Sequence, residues 1–157
     1  MKLKIYTMTR FYKIQFTKNS YDLNAEYDKL SEHEKESISD NLSDSYFEFN
    51  NDFGYYVIYI MLNPLDAKKY TKILDNNLIN HNIIDISKDL LYGMDFEKEL
   101  KKHVNGLNRF RWNNFNKKIT EWILSNLDID IVLDRISNVG IEGLNKIEKK
   151  FLDNYKV

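Results

Sequence analysis

The chain has 157 residues, of which 43% are hydrophobic and 30% are charged, and its formal net charge at pH 7 is -1. This length and composition predict a globular protein with one substantial hydrophobic core, and the near-zero net charge argues against a general polyanion-binding protein. The chain contains no cysteine, which excludes disulfides, zinc–thiolate sites and thiol nucleophiles.

The amino-terminal residues carry charges where a secretory signal requires an apolar run. Lys2 and Lys4 interrupt that run, and no stretch of the sequence approaches the length of a membrane-spanning helix. The sequence therefore predicts a cytoplasmic protein that has no contact with a membrane.

The first predicted elements are a strand and two helices. Apolar and polar side chains alternate over residues 10–17, which predicts a half-buried strand. Ser31 and Glu34 have the spacing of a capping box, which predicts a helix that begins at Glu32. A shorter helix is predicted before it, over residues 23–29.

The most strongly marked element is a central strand over residues 55–62. These eight consecutive residues are apolar or aromatic, which predicts a strand buried on both faces. Residues 46–49 alternate as a shorter strand, and the two strands are predicted to form a hairpin. Asn63 and Pro64 then provide a helix cap and a suitable first helical residue.

The aromatic residues of this strand also permit an interpretation as an RNA-binding surface. Residues 53–59 are similar to the third-strand pattern of RNA-recognition motifs, whose aromatic side chains stack on bases. The sequence departs from that pattern by one extra residue and by Asp52 at the position of a basic residue. A strand covered on its second face by the carboxy-terminal helices accounts for the same residues, so both interpretations stay open.

The order of the predicted elements indicates the fold class. A helix follows Pro64, a strand is predicted over residues 82–86, and Ser87 is predicted to cap a helical turn. The order strand, helix, strand, strand, helix, strand is that of a ferredoxin-like β-α-β-β-α-β domain. We therefore predict an α+β fold in which residues 1–93 form a ferredoxin-like domain. Residues 94–157 are predicted to form a carboxy-terminal extension of about four helices that packs on this domain.

Caps and apolar stripes predict the helices of the extension. Asp95 caps the first helix, and its stripe falters over residues 106–113, where a break is predicted. Asp128 or Asp130 begins a later helix, and Asn145 caps the last one.

The end of the chain resembles a known sequence pattern. Residues 131–137 read Ile-Val-Leu-Asp-Arg-Ile-Ser, residues 140–141 read Gly-Ile, and residues 148–152 read Glu-Lys-Lys-Phe-Leu. This pattern resembles a two-helix tail that is common in Bacteroidota proteins, rhomboid-family proteases among them. The resemblance implies a Bacteroidota source, and the matched residues include no catalytic residue.

No group of side chains in the sequence predicts a reaction. His33, His81 and His103 are widely separated and lack metal-ligand spacing. The five glycines form none of the phosphate-binding or nucleophile motifs. We therefore predict that the protein is not an enzyme and that it holds no metal and no cofactor.

Charge is strongly segregated along the chain. Residues 22–52 contain ten acidic residues and two lysines, whereas residues 101–118 contain six basic residues and no acid. In the basic segment arginines alternate with aromatic residues, a mixture that binds nucleic acid or anchors a protein interface. We predict that a loop presents part of this segment, although a solvated helix face with its aromatic residues in the core is the alternative. The predicted partner-binding residues are Arg109, Arg111, Trp112, Lys101, Lys102, Lys117 and Lys118 in the basic segment, and Glu32, Glu34 and Glu36 in the acidic segment.

Opposed acidic and basic surfaces suit a partner that is itself charged, such as a nucleic-acid-handling enzyme. A small chain of this kind resembles phage or mobile-element inhibitors of host defence, including anti-CRISPR proteins, several of which have ferredoxin-like folds. We therefore predict a non-enzymatic inhibitor that binds a protein partner, with an RNA-guided RNase of a type VI CRISPR system as its target. The alternatives are an RNA-binding protein that uses residues 101–118 and a toxin-immunity protein.

Overall fold

In the described residues, four strands form one antiparallel sheet. The structure is a computed structural model that describes residues 9–41, 46–102 and 109–155, without the side chains of residues 40, 41, 109 and 110. The strands are β1 (Arg10–Phe16), β2 (Tyr46–Asn50), β3 (Tyr56–Leu62) and β4 (His81–Asp85). Their order in the sheet is β2-β3-β1-β4, and each neighbouring pair is antiparallel. The structure is therefore a mixed α+β protein with two central strands, β3 and β1.

Strand β3 is buried on both faces, as its unbroken apolar sequence predicts. Val57 and Tyr59 point into one hydrophobic cluster, whereas Ile58 and Ile60 point into a second cluster on the opposite face of the sheet. None of these four side chains is more than 5% exposed. The prediction of a doubly covered strand is confirmed. The interpretation as an open RNA-binding sheet is wrong, because the face that carries Tyr59 is covered.

Three helices cover the face of the sheet that carries Ile58. Glu34 N–H donates to Ser31 Oγ at 3.1 Å, and Ser31 N–H donates to Glu34 Oε1 at 3.0 Å, so the predicted capping box forms. Asn63 caps the third helix, and Pro64 is its first residue, also as predicted. The helices are α1 (Ser20–Asp28), α2 (Glu32–Asn41) and α3 (Pro64–Asn76).

Helices from the second half of the chain cover the opposite face. Phe11 meets Trp122 edge to face with ring centroids 5.4 Å apart, and Tyr59 meets Phe96 in the same manner at 4.6 Å. Each such pair contributes about 0.5–1.5 kcal/mol beyond the burial of its area. The sheet and these helices therefore share one core. The helices are α4 (Ser87–Leu91), α5 (Phe96–Lys101), α6 (Arg109–Asn126), α7 (Ile129–Val139) and α8 (Lys146–Asn154), with a short 3-10 helix at Ile141–Gly143.

A buried ion pair joins α7 to α8. Arg135 Nε donates to Glu148 Oε2 at 2.9 Å, and the two side chains are 16% and 2% exposed. Glu148 Oε1 also accepts the Asn145 N–H at 2.9 Å, which completes the predicted capping box of α8. Gly93 lies against the guanidinium of Arg135, since a Cβ at this glycine would be 2.3 Å from Arg135 Nη2. One arginine therefore ties together three segments of the chain.

Two local predictions are wrong. Ser87 does not cap α4, because the residue before the helix is Ile86 and its side chain makes no capping bond. The Ser87 hydroxyl is buried and instead accepts the Phe11 N–H at 2.8 Å. Strand β1 is also more than half-buried, since Phe11 is fully buried on the face opposite Ile14. This follows from the position of β1 inside the sheet, where both of its faces are covered.

Candidate functional site

The sheet separates the acidic helices from the basic helices. Helices α1 and α2 belong to the layer on the Ile58 face, to which Leu30 and Ile38 contribute. Helices α5 and α6 pack on the opposite face through Leu100 and Ile119. The acidic and basic segments of the sequence therefore lie on opposite faces of the sheet, although α3 adds the exposed Lys68, Lys69 and Lys72 to the layer of the acidic helices.

The outer surface of α1 and α2 carries several exposed carboxylates. The Glu32 side chain is 89% exposed and its Oε1 is 3.7 Å from Lys35 Nζ, a loose pair. Glu36 is exposed and has no ion-pair partner in the described part of the chain. Exposed pairs at this distance compensate little charge. We define the acidic face as the exposed residues Asp22, Asp28, Glu32 and Glu36.

Glu34 differs from its neighbours because its carboxylate accepts hydrogen bonds from other residues of the protein. Besides capping α2, Glu34 Oε2 accepts a hydrogen bond from Asn77 Nδ2 at 2.7 Å, which ties the start of α2 to the end of α3. The bond from the Ser31 backbone and then that from Asn77 hold the pKa of Glu34 below its ordinary value of 4.5. Glu34 therefore has a structural role, which competes with the partner-binding role predicted for it together with Glu32 and Glu36.

We expect Glu34→Ala to lower the thermal midpoint at pH 7, and Glu36→Ala to leave it nearly unchanged. The lowered folded-state pKa means that the Glu34 carboxylate stabilises the fold above pH 4.5. This contribution is lost as the pH falls through the lowered pKa, so the difference between the two variants should shrink in acid. Thermal melts of both variants at several pH values measure the effect. Identical midpoints at pH 7 would contradict the capping role.

The lysines of the basic segment are partly neutralised by their own helix. Lys101 Nζ is 3.2 Å from Glu97, and Lys102 Nζ is 3.0 Å from Glu99, in pairs spaced four and three residues apart on α5. On α6, Lys117 is exposed and Lys118 is half-buried. The α5 glutamates precede the segment in sequence, so the uninterrupted basic run overstates the positive charge of this layer.

Trp112 lies in the core and not on a recognition loop. Its side chain is 2% exposed, its ring stacks on Phe96 at 5.9 Å, and it meets the Phe47 ring edge to face at 5.8 Å. The prediction that a loop presents Trp112 is wrong because residues 109–126 form a helix, whose period turns Trp112 and Phe115 inward together. The predicted break falls partly on residues 103–108, which lie outside the described residues, as does the side chain of Arg109.

Arg111 extends from α6 to the edge of the sheet. Its side chain is 62% exposed, and its Nη1 is 3.8 Å from Oε1 of Glu48 on the edge strand β2. Glu48 also accepts a hydrogen bond from the Tyr56 hydroxyl on β3. Glu48 is not among the partner-binding residues predicted from the sequence. The available signal was a single acid within the otherwise aromatic strand 46–49.

The described residues show neither a metal-binding cluster nor a membrane-spanning helix. No three histidine or acidic side chains among them lie close enough together to hold a metal ion. No helix in the described ranges combines the length and the apolar character needed to cross a membrane. His103 lies outside these ranges.

Comparisons with known proteins do not assign the chain to a family. The chain matches no protein-family model, no curated protein and no solved structure.

Proposed function

We propose that this protein is a non-enzymatic binding protein whose acidic face docks into a basic groove of a nucleic-acid-handling enzyme. The observation that carries this proposal is the exposure of the four acidic-face carboxylates on α1 and α2, on the opposite side of the sheet from the basic helices. A groove that holds phosphates is rich in lysine and arginine, and its field attracts such a face. Charge complementarity of this kind accelerates association and fixes orientation.

We further propose that residues 1–93 form a ferredoxin-like domain and that residues 94–157 are a helical extension of it. The strand order β2-β3-β1-β4 with antiparallel neighbours supports this proposal. So does the position of the helices that follow β1 and β3, which lie on the same face of the sheet. In this arrangement the extension covers the face that the first domain leaves open.

A protein partner fits the geometry better than RNA. Binding to single-stranded RNA relies on exposed aromatic rings that stack on bases. Tyr59, Trp112 and Phe115 are each at most 5% exposed. The cationic groups of Lys101 and Lys102 are paired within α5. Among the described side chains, which do not include that of Phe110, neither the sheet nor the start of α6 therefore offers the stacking surface that RNA binding needs.

The target class that we propose is an RNA-guided RNase of the type VI CRISPR kind. An enzyme of this class must hold RNA in a positively charged channel. The length of 157 residues and the resemblance of residues 131–152 to a Bacteroidota tail support a mobile-element inhibitor that acts in such a host.

The experiment combines the protein with a purified type VI effector, its guide RNA and a fluorescent reporter RNA. We expect the wild-type protein to slow reporter cleavage. The double variant Glu32→Lys, Glu36→Lys should lose most of this inhibition, chiefly through slower association at low salt. Glu34 is left unchanged so that α2 keeps its cap.

The matched control is the double variant Asp134→Lys, Glu142→Lys. It makes the same change in net charge at exposed residues that lie on α7 and the short 3-10 helix, so it should inhibit as the wild type does. Equal inhibition by the two double variants would exclude the acidic face. A wild-type protein that inhibits no effector of this class would exclude the proposed target.

A further inference from the structure

A cavity of about 640 Å³ lies between the sheet and the helices α1, α2 and α3. Tyr46 and Tyr56 line it from the sheet, Tyr27 from α1 and Tyr70 from α3. Its volume is within the range of small-molecule sites, roughly 300–1,000 Å³. Four tyrosines therefore line a space that is large enough for an organic ligand.

Glu48 is the one charged side chain among the described residues that line this cavity. Its carboxylate accepts a hydrogen bond from the Tyr56 hydroxyl. Arg111 approaches the carboxylate only to 3.8 Å, and its own side chain is 62% exposed. An ion pair at that distance and exposure is longer than a hydrogen bond and strongly screened by solvent. The carboxylate therefore gives the cavity a negative charge that is only weakly compensated.

The hydroxyl group of Tyr70 lacks a partner within the described part of the chain. Tyr70 is 6% exposed and lines the cavity. Burial raises the pKa of Tyr70, and the charge of Glu48 raises it further, so the hydroxyl stays protonated at neutral pH. Buried hydroxyl groups in native proteins almost always have a hydrogen-bond partner. The Tyr70 hydroxyl is therefore available to a hydrogen-bonding group of a ligand, or to water, inside the cavity.

We propose that the cavity binds a small organic cation, with its ammonium head between Glu48 and the tyrosine rings. The faces of aromatic rings attract cations, and cages of such rings recognise quaternary ammonium groups. Glu48 supplies the counter-charge, and a hydroxyl group on the same ligand can pair with Tyr70. No basic side chain lines the cavity in the described residues, so its charge does not suit an anion. This site lies beneath the acidic face and does not depend on the proposed docking function.

Choline is a suitable probe because it carries both a quaternary ammonium group and a hydroxyl group. Calorimetric titration of the full chain should show saturable choline binding, and the neutral carbon isostere dimethylbutanol should bind roughly tenfold more weakly or worse. Glu48→Gln should remove most of this difference while keeping an oxygen that accepts from the Tyr56 hydroxyl. Tyr70→Phe should weaken choline binding without lowering the thermal midpoint, since it removes a hydroxyl that has no protein partner.

The control variant is Glu36→Gln, which removes a carboxylate from the acidic face but not from the cavity. It should bind choline as the wild type does. The proposal is overturned if choline does not bind, if choline and dimethylbutanol bind alike, or if Glu36→Gln weakens binding as much as Glu48→Gln. An effect of Glu36→Gln would mean that choline associates with the acidic face. Thermal melts of each variant establish that it is folded before its affinity is compared.

Discussion

Replacing Ile58 by aspartate should greatly lower the free energy of unfolding of the protein. Ile58 is 1% exposed and lies between Ile14 and Glu48 on the neighbouring strands. An aspartate at this position would lose its hydration without gaining a partner, and it would face the Glu48 carboxylate. We expect it to lower the free energy of unfolding by at least about 4 kcal/mol. The free energy of unfolding of such a domain is roughly 5–15 kcal/mol, so the substitution would remove at least about a quarter of it.

Val57→Asp should be comparably destabilising through the opposite face, because Val57 points toward the carboxy-terminal helices. The matched control is Ile84→Asp on strand β4, where the side chain is 45% exposed. We expect Ile84→Asp to lower the free energy of unfolding by about 1 kcal/mol or less. Urea unfolding followed by circular dichroism measures all three variants. A Val57→Asp protein as stable as the Ile84→Asp protein would mean that the helices do not cover this face in solution.

Arg135→Ala is the second substitution for which we expect a large loss of stability. It would leave the Glu148 carboxylate, which is 2% exposed, without its counter-charge. Removing one partner of a buried ion pair typically costs about 3–5 kcal/mol, because the remaining charge stays desolvated. The substitution also empties the space against Gly93, so the contacts that Arg135 makes with two segments would be lost at once.

A surface ion pair provides the control for this substitution. Arg10 Nε is 2.8 Å from Asp85 Oδ2, but the two side chains are 45% and 37% exposed. We expect Arg10→Ala to cost at most about 1 kcal/mol. A double-mutant cycle that adds Glu148→Gln to Arg135→Ala isolates the coupling of the buried pair. If Arg135→Ala lowers the free energy of unfolding no more than Arg10→Ala does, the buried ion pair does not stabilise the fold as proposed.

The elements that could be predicted from sequence are those with local signals. Ser31 and Glu34 are three residues apart, and both bonds of the capping box are formed within that interval. Asn145 and Glu148 repeat the same local geometry at the start of α8. The apolar run over residues 55–62 likewise predicts a strand buried on both faces without reference to other segments, because two buried faces leave no position for a polar side chain.

The predictions failed where distant segments decide the outcome. Trp112 lies where the apolar stripe falters, which suggested a loop, but its ring packs against Phe47 and Phe96 from other parts of the chain. Ser87 resembles a helix cap, yet its hydroxyl oxygen accepts a hydrogen bond from the backbone N–H of Phe11, which is 76 residues away in the chain. The cavity around Glu48 is lined by residues of three strands and three helices, so no interval of sequence could have predicted it.

The second helical layer is formed by residues from the carboxy-terminal half of the chain. Its position in the sequence determines when the core can be completed during synthesis. All four strands end by Asp85, whereas Trp122, whose ring packs against Phe11, comes later in the chain. Because a ribosome releases the chain from its amino terminus, Phe11 and Tyr59 emerge well before the aromatic residues of α6. During this interval a sheet that has already formed keeps one apolar face bare. A bare face of this kind is a surface that chaperones bind and through which nascent chains aggregate.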